Sequence, residues 1–345
     1  MTVSGVVKPS RFGQSSGQTC HPTLVAKKQD LSRQRKILKT GALAAALFAA
    51  AATSLAQTPV LPLAGTVIER DQVFARVGEK TLVLDLYRPE NRSGNLPVVV
   101  WMYGGAWRAR NREQQAPRAS WLATHGYAVA VIDYRLSSEA LFPAQINDCK
   151  AAVRWLRANA AKLMLDTGHI GAWGESSGGH LAALLGVTGG VADLEGDLGN
   201  ADQSSRVQAV VDFFGPTDFL QMDAHALPSA TLKHDPLASP ESKLVGGAIQ
   251  ENVAKVARAN PITYVTNEAP PFLIVHGEQD LLVPLHQSEL LYEALKRARV
   301  DVTFYKIAGA GHSGNIFYTE MMQAAVAAFF DKHLKPCPSP LPPAP

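Results

Sequence analysis

Apolar and polar positions along the chain fall into two regimes. Residues 72–89, "QVFARVGEKTLVLDLYRP", alternate apolar and polar side chains on either side of Gly78. That period-two pattern around a glycine predicts a β-hairpin at an antiparallel sheet edge. Beyond it the alternation stops. Residues 96–105, 126–136, 169–176, 207–216, 271–280 and 302–313 begin as short apolar runs, and most end in glycine or a polar residue. Runs that do not alternate belong to strands buried on both faces, as in a parallel sheet.

Helical periodicity fills several of the gaps. In residues 143–163, Ile146, Cys149, Val153, Leu156 and Ala160 recur near the 3.6-residue period. Further helical stretches begin at Ser176, Pro284 and Asn315. Strands alternating with helices predict a three-layer α/β domain with a mostly parallel central sheet and helices on both faces. Residues 217–266 break the alternation. They are rich in Pro, Asp, His and Ser, carry no strand pattern, and are too long for an ordinary connection. They read as an insertion forming a lid over one end of the sheet.

Composition adds little to this: 46% hydrophobic and 18% charged residues over 345 positions is globular. Charge adds more. Residues 1–56 hold eight Lys/Arg and one Asp, so the net +3 of the whole chain becomes −4 in the remainder, with 25 basic and 29 acidic residues. No basic block survives there, which argues against a nucleic-acid partner. Arg33, Arg35, Lys36 and Lys39 precede an Ala/Leu run, Gly41–Leu55, and then Ala56. The run is short of the roughly 20 residues that span a bilayer. The order of basic segment, apolar run and small residues predicts a signal peptide cleaved after Ala56. A secreted or periplasmic protein follows, with no stable membrane insertion after cleavage. Residues 1–32 are more than a signal peptide normally carries ahead of its basic segment, so a working start downstream of Met1 is one expectation. The expected organisation is therefore a leader over 1–56, an α/β domain over 57–335 and a Pro-rich, disordered tail over 336–345. Three cysteines, Cys20, Cys149 and Cys337, do not make a disulfide framework, and Cys149 reads as a buried free thiol.

The chemistry centres on "WGESSGGH", residues 173–180. Gly174-Glu175-Ser176-Ser177-Gly178 fits G-x-S-x-G, follows an apolar strand and opens a helix. That setting is the nucleophile elbow, in which Ser176 presents its hydroxyl and small residues let strand and helix approach. Ser177, the next residue, offers a backbone N–H to an oxyanion. An elbow requires its acid and then its histidine on loops after later strands. Asp280 follows the run 271–277, 104 residues after Ser176, and His312 follows the run 302–307, 32 residues later. His276 ends its strand too early and instead orients the acid loop. His286 reads as surface, and His180, one turn into the elbow helix, as packing. His125, His225 and His234 lack a strand-end setting. Glu278, Asp212 and Asp218 are the rival acids.

A second oxyanion donor is expected from the loop after residues 96–102. Gly104 and Gly105 let the backbone turn its N–H groups inward, so Gly105 and Ala106 join Ser177. Trp107 is a candidate pocket residue, while Trp101 and Trp173 read as core. The acidic stretch Asp193–Asp202 does not match a calcium loop and reads as solvated. No zinc spacing, P-loop or dinucleotide fingerprint occurs, so neither metal nor cofactor is expected.

Taken together, "YGGAW", "GESSGGHLAALLG", "HGEQDLLVPLHQSELLYEAL" and "GAGHS" resemble the α/β-hydrolase superfamily. The chain is most similar to its hormone-sensitive-lipase-like esterase branch and to the bacterial feruloyl-esterase-like group within it. "SSRVQAVVDFFGPTDF" and the insertion "SPESKLVGGAIQENVAKVARANPITYV" share that likeness, which runs from Val67 to Leu334. The resemblance implies a triad of Ser176, Asp280 and His312 and an oxyanion hole of Gly105, Ala106 and Ser177. One position departs from it. Tyr103 stands where the family has a histidine that braces the oxyanion loop, so a tyrosine hydroxyl is the candidate brace and a candidate pocket group.

The expected function is a serine carboxylesterase acting on short-acyl or hydroxycinnamoyl esters, on small molecules or linked to polysaccharide, without a cofactor. The export signal and the resemblance carry the substrate class. The same triad serves a peptidase or an arylformamidase. A non-catalytic hydrolase-fold receptor is the remaining alternative, and such receptors commonly lose the Ser or His that this chain retains.

Overall fold

The hairpin forms from Thr66–Val77 (β1) and Lys80–Pro89 (β2), joined through Gly78 at φ +56°. That left-handed conformation costs glycine nothing because it has no Cβ. The computed structural model describes residues 63–335. The remaining strands are Leu96–Met102 (β3), Ala128–Ile132 (β4), Leu165–Glu175 (β5), Ala209–Phe213 (β6), Phe272–Gly277 (β7) and Val302–Ile307 (β8). They form one eight-stranded sheet in the order β1-β2-β4-β3-β5-β6-β7-β8. β2 is antiparallel to both its neighbours, and every pair from β4 to β8 is parallel.

Burial explains the sequence pattern. Every residue of β4, β6 and β7 is buried, so these strands have no solvent face to mark with polar residues. β8 differs. It is an edge strand with one neighbour, and Thr303, Tyr305 and Lys306 are exposed.

The main helices are Ala144–Ala158 (α1), Ser177–Val187 (α2), Pro240–Val245 (α3), Val253–Ala259 (α4), His286–Arg297 (α5) and Glu320–Leu334 (α6). On α1 the expected apolar residues Ile146, Cys149, Val153 and Leu156 are buried, and so is much of the polar face, whereas Ala160 lies beyond the helix end and is half-buried. Asp148 lies 2.7 Å from the Arg135 guanidinium, and Lys150 lies 2.7 Å from Glu195. Glu195 also accepts from Ser205 Oγ and pairs with Arg154. This part of the acidic stretch is thus not a solvated loop. It is an ionic anchor that covers α1. Cys149 is buried and free, whereas Cys20 and Cys337 lie outside the described residues.

Between β6 and β7 there is no strand. Short 3-10 turns, α3 and α4 fill the stretch where the insertion was expected. They rest on the core through Phe219, Met222, Leu244, Ile249, Val256 and Ala259, all fully buried, so the insertion is a packed cap. Ser239 caps α3 by accepting from Ser242 N at 3.0 Å. All described residues belong to one compact unit. No helix among them is long and apolar enough to cross a membrane. The leader with its cleavage position and the Pro-rich tail fall outside the described residues.

Candidate active site

β5 runs directly into α2, and the turn between them places Ser176 at φ 53°, ψ −121°. A serine pays a steric penalty there, so the surrounding contacts must hold it. Ser176 N donates to Phe213 O at 2.8 Å, and Ser176 O accepts from His180 N at 3.0 Å. Gly174 and Gly178 are required by space. A Cβ on Gly174 would collide with the Gly178 carbonyl, and one on Gly178 with the Met102 carbonyl.

The structure brings Ser176, His312 and Asp280 together at the carboxyl end of the sheet. His312 Nε2 lies 3.0 Å from Ser176 Oγ, and His312 Nδ1 lies 2.7 Å from Asp280 Oδ2. An ionised carboxylate only accepts, so Nδ1 carries the proton and Nε2 turns its lone pair to the serine hydroxyl. Asp280 Oδ1 accepts from Leu282 N and Val283 N at 2.8 and 2.9 Å. Burial would raise the Asp280 pKa. Hydrogen bonds from His276 and His312 outweigh it and hold the carboxyl well below the usual carboxylate range. Phe214 packs edge-on against the His312 ring, with centroids 4.7 Å apart.

The rival residues lie elsewhere. Asp212 is fully buried and accepts from Gly215 N, and Asp218 caps the turn at Leu220. His180 is fully buried, with Nε2 2.8 Å from Ala259 O and Nδ1 accepting from the Trp107 indole at 3.3 Å. Burial pushes its pKa down to about 4, so the ring is neutral at ordinary pH.

The loop after β3 packs directly on the elbow. A Cβ on Gly104 would stand 3.0 Å from Glu175 O and 3.3 Å from Ser176 Cβ. Gly105 takes φ 148°, and the left-handed backbone extends through Ala106 (53°) and Trp107 (54°). Ser177 opens α2, so its N–H has no partner within the helix. Gly105, Ala106 and Ser177 all border the space in front of Ser176.

Tyr103 does not brace this loop. It is fully buried, stacks on Tyr134 with centroids 4.6 Å apart, and its hydroxyl has no hydrogen-bond partner among the described residues. It lines neither cavity at Ser176. The side chain follows the strand inward instead of turning with the loop, so its hydroxyl cannot reach the glycines. Gln115 takes the bracing role. Its Oε1 accepts from Gly104 N at 3.1 Å, and its Nε2 donates to Gly104 O at 3.2 Å, beside Asn111 Nδ2 at 3.2 Å. Arg110 and Arg112 anchor the same segment to Asp133 and Asp71 at 2.9 and 2.7 Å.

Two cavities meet at Ser176 and His312. The smaller, about 70 Å³, is lined mainly by Trp107, Pro216, Leu232, Pro240, Leu282 and Val283. The inserted cap thus supplies part of its wall. The larger, about 280 Å³, is lined by Gly104, Gln115, Arg118, Glu175, Phe214 and Ser313, among others. Sequence reasoning missed most of these. Glu175 is the variable position of the elbow motif, yet it is 1% exposed. Its Oε2 lies 2.5 Å from Arg118 Nη1 and accepts from Tyr318 OH at 2.8 Å. Burial pushes its carboxyl upward against the pull of Arg118 and Tyr318. A carboxylate beside the nucleophile was visible in the sequence, but its partners lie 57 and 143 residues away and carry no local signal. His234 was set aside for want of a strand end. It lines the smaller cavity and pairs with Glu241 at 3.1 Å.

A family model described as BD-FAE matches residues 84–295. That span includes the oxyanion loop, Ser176 and Asp280, and stops before His312. The chain is 32% identical to Esterase LipC of Mycobacterium tuberculosis over 258 residues, 73% of this chain and 62% of that protein. It thus spans about three fifths of that relative's length. A solved structure described as a truncated form of carbohydrate esterase from gut microbiota superimposes with a TM-score of 0.72 at 34% identity, covering 79% of this chain and 98% of that one. A bifunctional GH43-CE protein of Bacteroides eggerthii gives 0.69 at 39% identity, covering 77% of this chain and 38% of that one.

Proposed function

The chain belongs to the BD-FAE family, and from that membership we propose that it is a serine carboxylesterase acting on short-acyl esters, including esters of carbohydrates. The observation that carries this reading is the continuous hydrogen-bonded line from Ser176 Oγ through His312 to Asp280. His312 Nε2 takes the hydroxyl proton as Ser176 attacks the ester carbonyl. Asp280 holds the tautomer and stabilises the imidazolium that forms. The N–H groups of Gly105, Ala106 and Ser177 receive the oxyanion. His312 returns the proton to the departing alcohol, and water repeats the sequence on the acyl-enzyme.

The two cavities divide the ester. The acyl group is assigned to the smaller, which the insertion closes with Leu232 and Pro240, and the alcohol to the larger, whose mostly apolar lining carries the polar groups of Gln115, Arg118 and Ser313. A cavity of about 150 Å³ suffices for benzene, so about 70 Å³ favours acetyl and propionyl over a hydroxycinnamoyl ring. The leader pattern supports export before the enzyme meets its substrate.

Wild-type protein is expected to hydrolyse p-nitrophenyl acetate and to be labelled at Ser176 by a fluorophosphonate. Ser176→Ala should lose both, with kcat/KM down by about 10⁴-fold or more. A variant still turning over the ester would overturn the assignment.

A further inference from the structure

The larger cavity holds a charged pair that the triad chemistry does not use. Arg118 stands where the short helix Pro117–Ser120 crosses the cavity wall. Glu175 fixes Nη1 at 2.5 Å, Gln115 Oε1 lies 3.5 Å from the same nitrogen, and the guanidinium carbon sits 5.0 Å over the Tyr318 ring. Such a group is immobilised by a carboxylate on one side and an aromatic face on another. It is nevertheless 34% exposed, and its Nε and Nη2 make no hydrogen bond among the described residues. Glu175 is 1% exposed, and its Oε1 has no partner either. Glu175 therefore serves as the buried anchor of the guanidinium, whose remaining N–H groups are the part of the pair that faces the cavity.

We propose that Arg118, held in place by Glu175, forms the subsite that binds hydroxyl groups of a sugar moiety beside the esterified position. This rests on the esterase reading above and deepens it. The pair carries no net charge, so it does not select an anionic alcohol. Hydroxyl oxygens accept from the remaining guanidinium N–H groups, Nε and Nη2. Two neighbouring hydroxyls on one ring match these two donors. Gln115 and Ser313 add further polar edges to the same wall.

The test compares two acetates of similar ring size, 3-O-acetyl methyl β-xylopyranoside and cyclohexyl acetate. They share the acyl group and differ in the ring hydroxyls. Wild type should favour the sugar acetate in kcat/KM by about tenfold to a hundredfold, the range of one or two charge-assisted hydrogen bonds. Arg118→Lys keeps a cation beside Glu175 but removes the planar fork, and should reduce that ratio at least several-fold. Methyl β-xylopyranoside should inhibit p-nitrophenyl acetate hydrolysis competitively in wild type and more weakly in Arg118→Lys, with melting temperatures establishing that both are folded. Equal rates on the two acetates in wild type would overturn the subsite and leave the esterase reading standing. An unchanged ratio in a folded Arg118→Lys protein would do the same. Absence of turnover on every ester would instead remove the esterase reading on which the subsite rests.

Discussion

His276 and His312 share one acceptor: His276 Nε2 lies 3.1 Å and His312 Nδ1 2.7 Å from the same oxygen, Asp280 Oδ2. His276 is fully buried, and its ring also contacts Val283 O at 2.9 Å and Ser288 Oγ at 2.7 Å. It therefore ties β7 and α5 to the loop that presents the acid. His276→Gln should lower kcat about tenfold to a hundredfold with little change in KM, since it loosens the acid without removing it. Asp280→Asn should lose about 10⁴-fold in kcat because the imidazole is no longer held in the required tautomer. Equal losses in steady-state kinetics for the two variants would contradict the ranking of positioning group below acid.

Ser177 should behave unlike its neighbour. Its contribution is a backbone N–H at the start of α2, which alanine keeps. Ser177→Ala should retain kcat/KM within about tenfold of wild type on p-nitrophenyl acetate. A loss matching that of Ser176→Ala would mean the hydroxyl of Ser177 acts in the chemistry.

Gln115 supplies both an acceptor and a donor to Gly104, whose neighbours Gly105 and Ala106 are the proposed oxyanion donors. Gln115→Ala leaves the Gly104 amide without that acceptor in a partly buried site. The loop then has less to hold Gly105 and Ala106 in place. Removing an oxyanion donor outright costs about 10²–10³-fold in kcat, so loosening the loop should cost about tenfold to a hundredfold. An unchanged kcat would show that Asn111 and the Arg110 and Arg112 anchors suffice.

These residues mark where the chain could be read and where it could not. The sheet was legible because strands buried on both faces leave unbroken apolar runs, as in β4 and β7. The elbow was legible because its small residues are forced by space at Gly174 and Gly178, so the requirement is written locally. The bracing of the oxyanion loop was not. Tyr103 occupied the expected position, and only the path of the chain shows its ring turned into the core beside Tyr134. Gln115 is eleven residues beyond Gly104, with nothing in its neighbours to mark it. Arg118, Glu175 and Tyr318 meet only because three separate segments converge at one end of the sheet. Pairings of that kind depend on tertiary geometry and leave no periodic trace.

Acyl length should be limited by the smaller cavity. With about 70 Å³ available, acetyl and propionyl esters should exceed butyryl, and octanoyl and feruloyl esters should be poor. Leu232 is the half-buried wall residue contributed by the insertion. Leu232→Ala enlarges the cavity without touching the triad, and should move the kcat/KM optimum toward butyryl by several-fold per added methylene, the scale on which apolar pockets discriminate. A panel of p-nitrophenyl esters measures both. An optimum at octanoate in wild type would place the acyl group in the larger cavity instead.

Asp212 lies beneath the elbow, fully buried, with Oδ1 accepting from Gly215 N at 3.0 Å and Oδ2 without a partner among the described residues. Burial pushes its carboxyl up to about 7, against an ordinary value of 3.8. Folding thus favours the protonated form. Between about pH 4 and pH 7 the native state binds more protons at this site than the unfolded chain does. The stability it contributes is present below about pH 4 and is lost as pH rises through 7. Asp212→Asn keeps an acceptor for Gly215 N and cannot titrate. Other ionisations are common to both proteins, so they cancel in the difference between wild type and variant. That difference, measured by urea midpoint from pH 4.5 to 8, should shift steadily against wild type as pH rises and level off above about 7.5. A difference that does not change with pH would place the titrating carboxyl elsewhere and leave the elbow resting on an ionised aspartate.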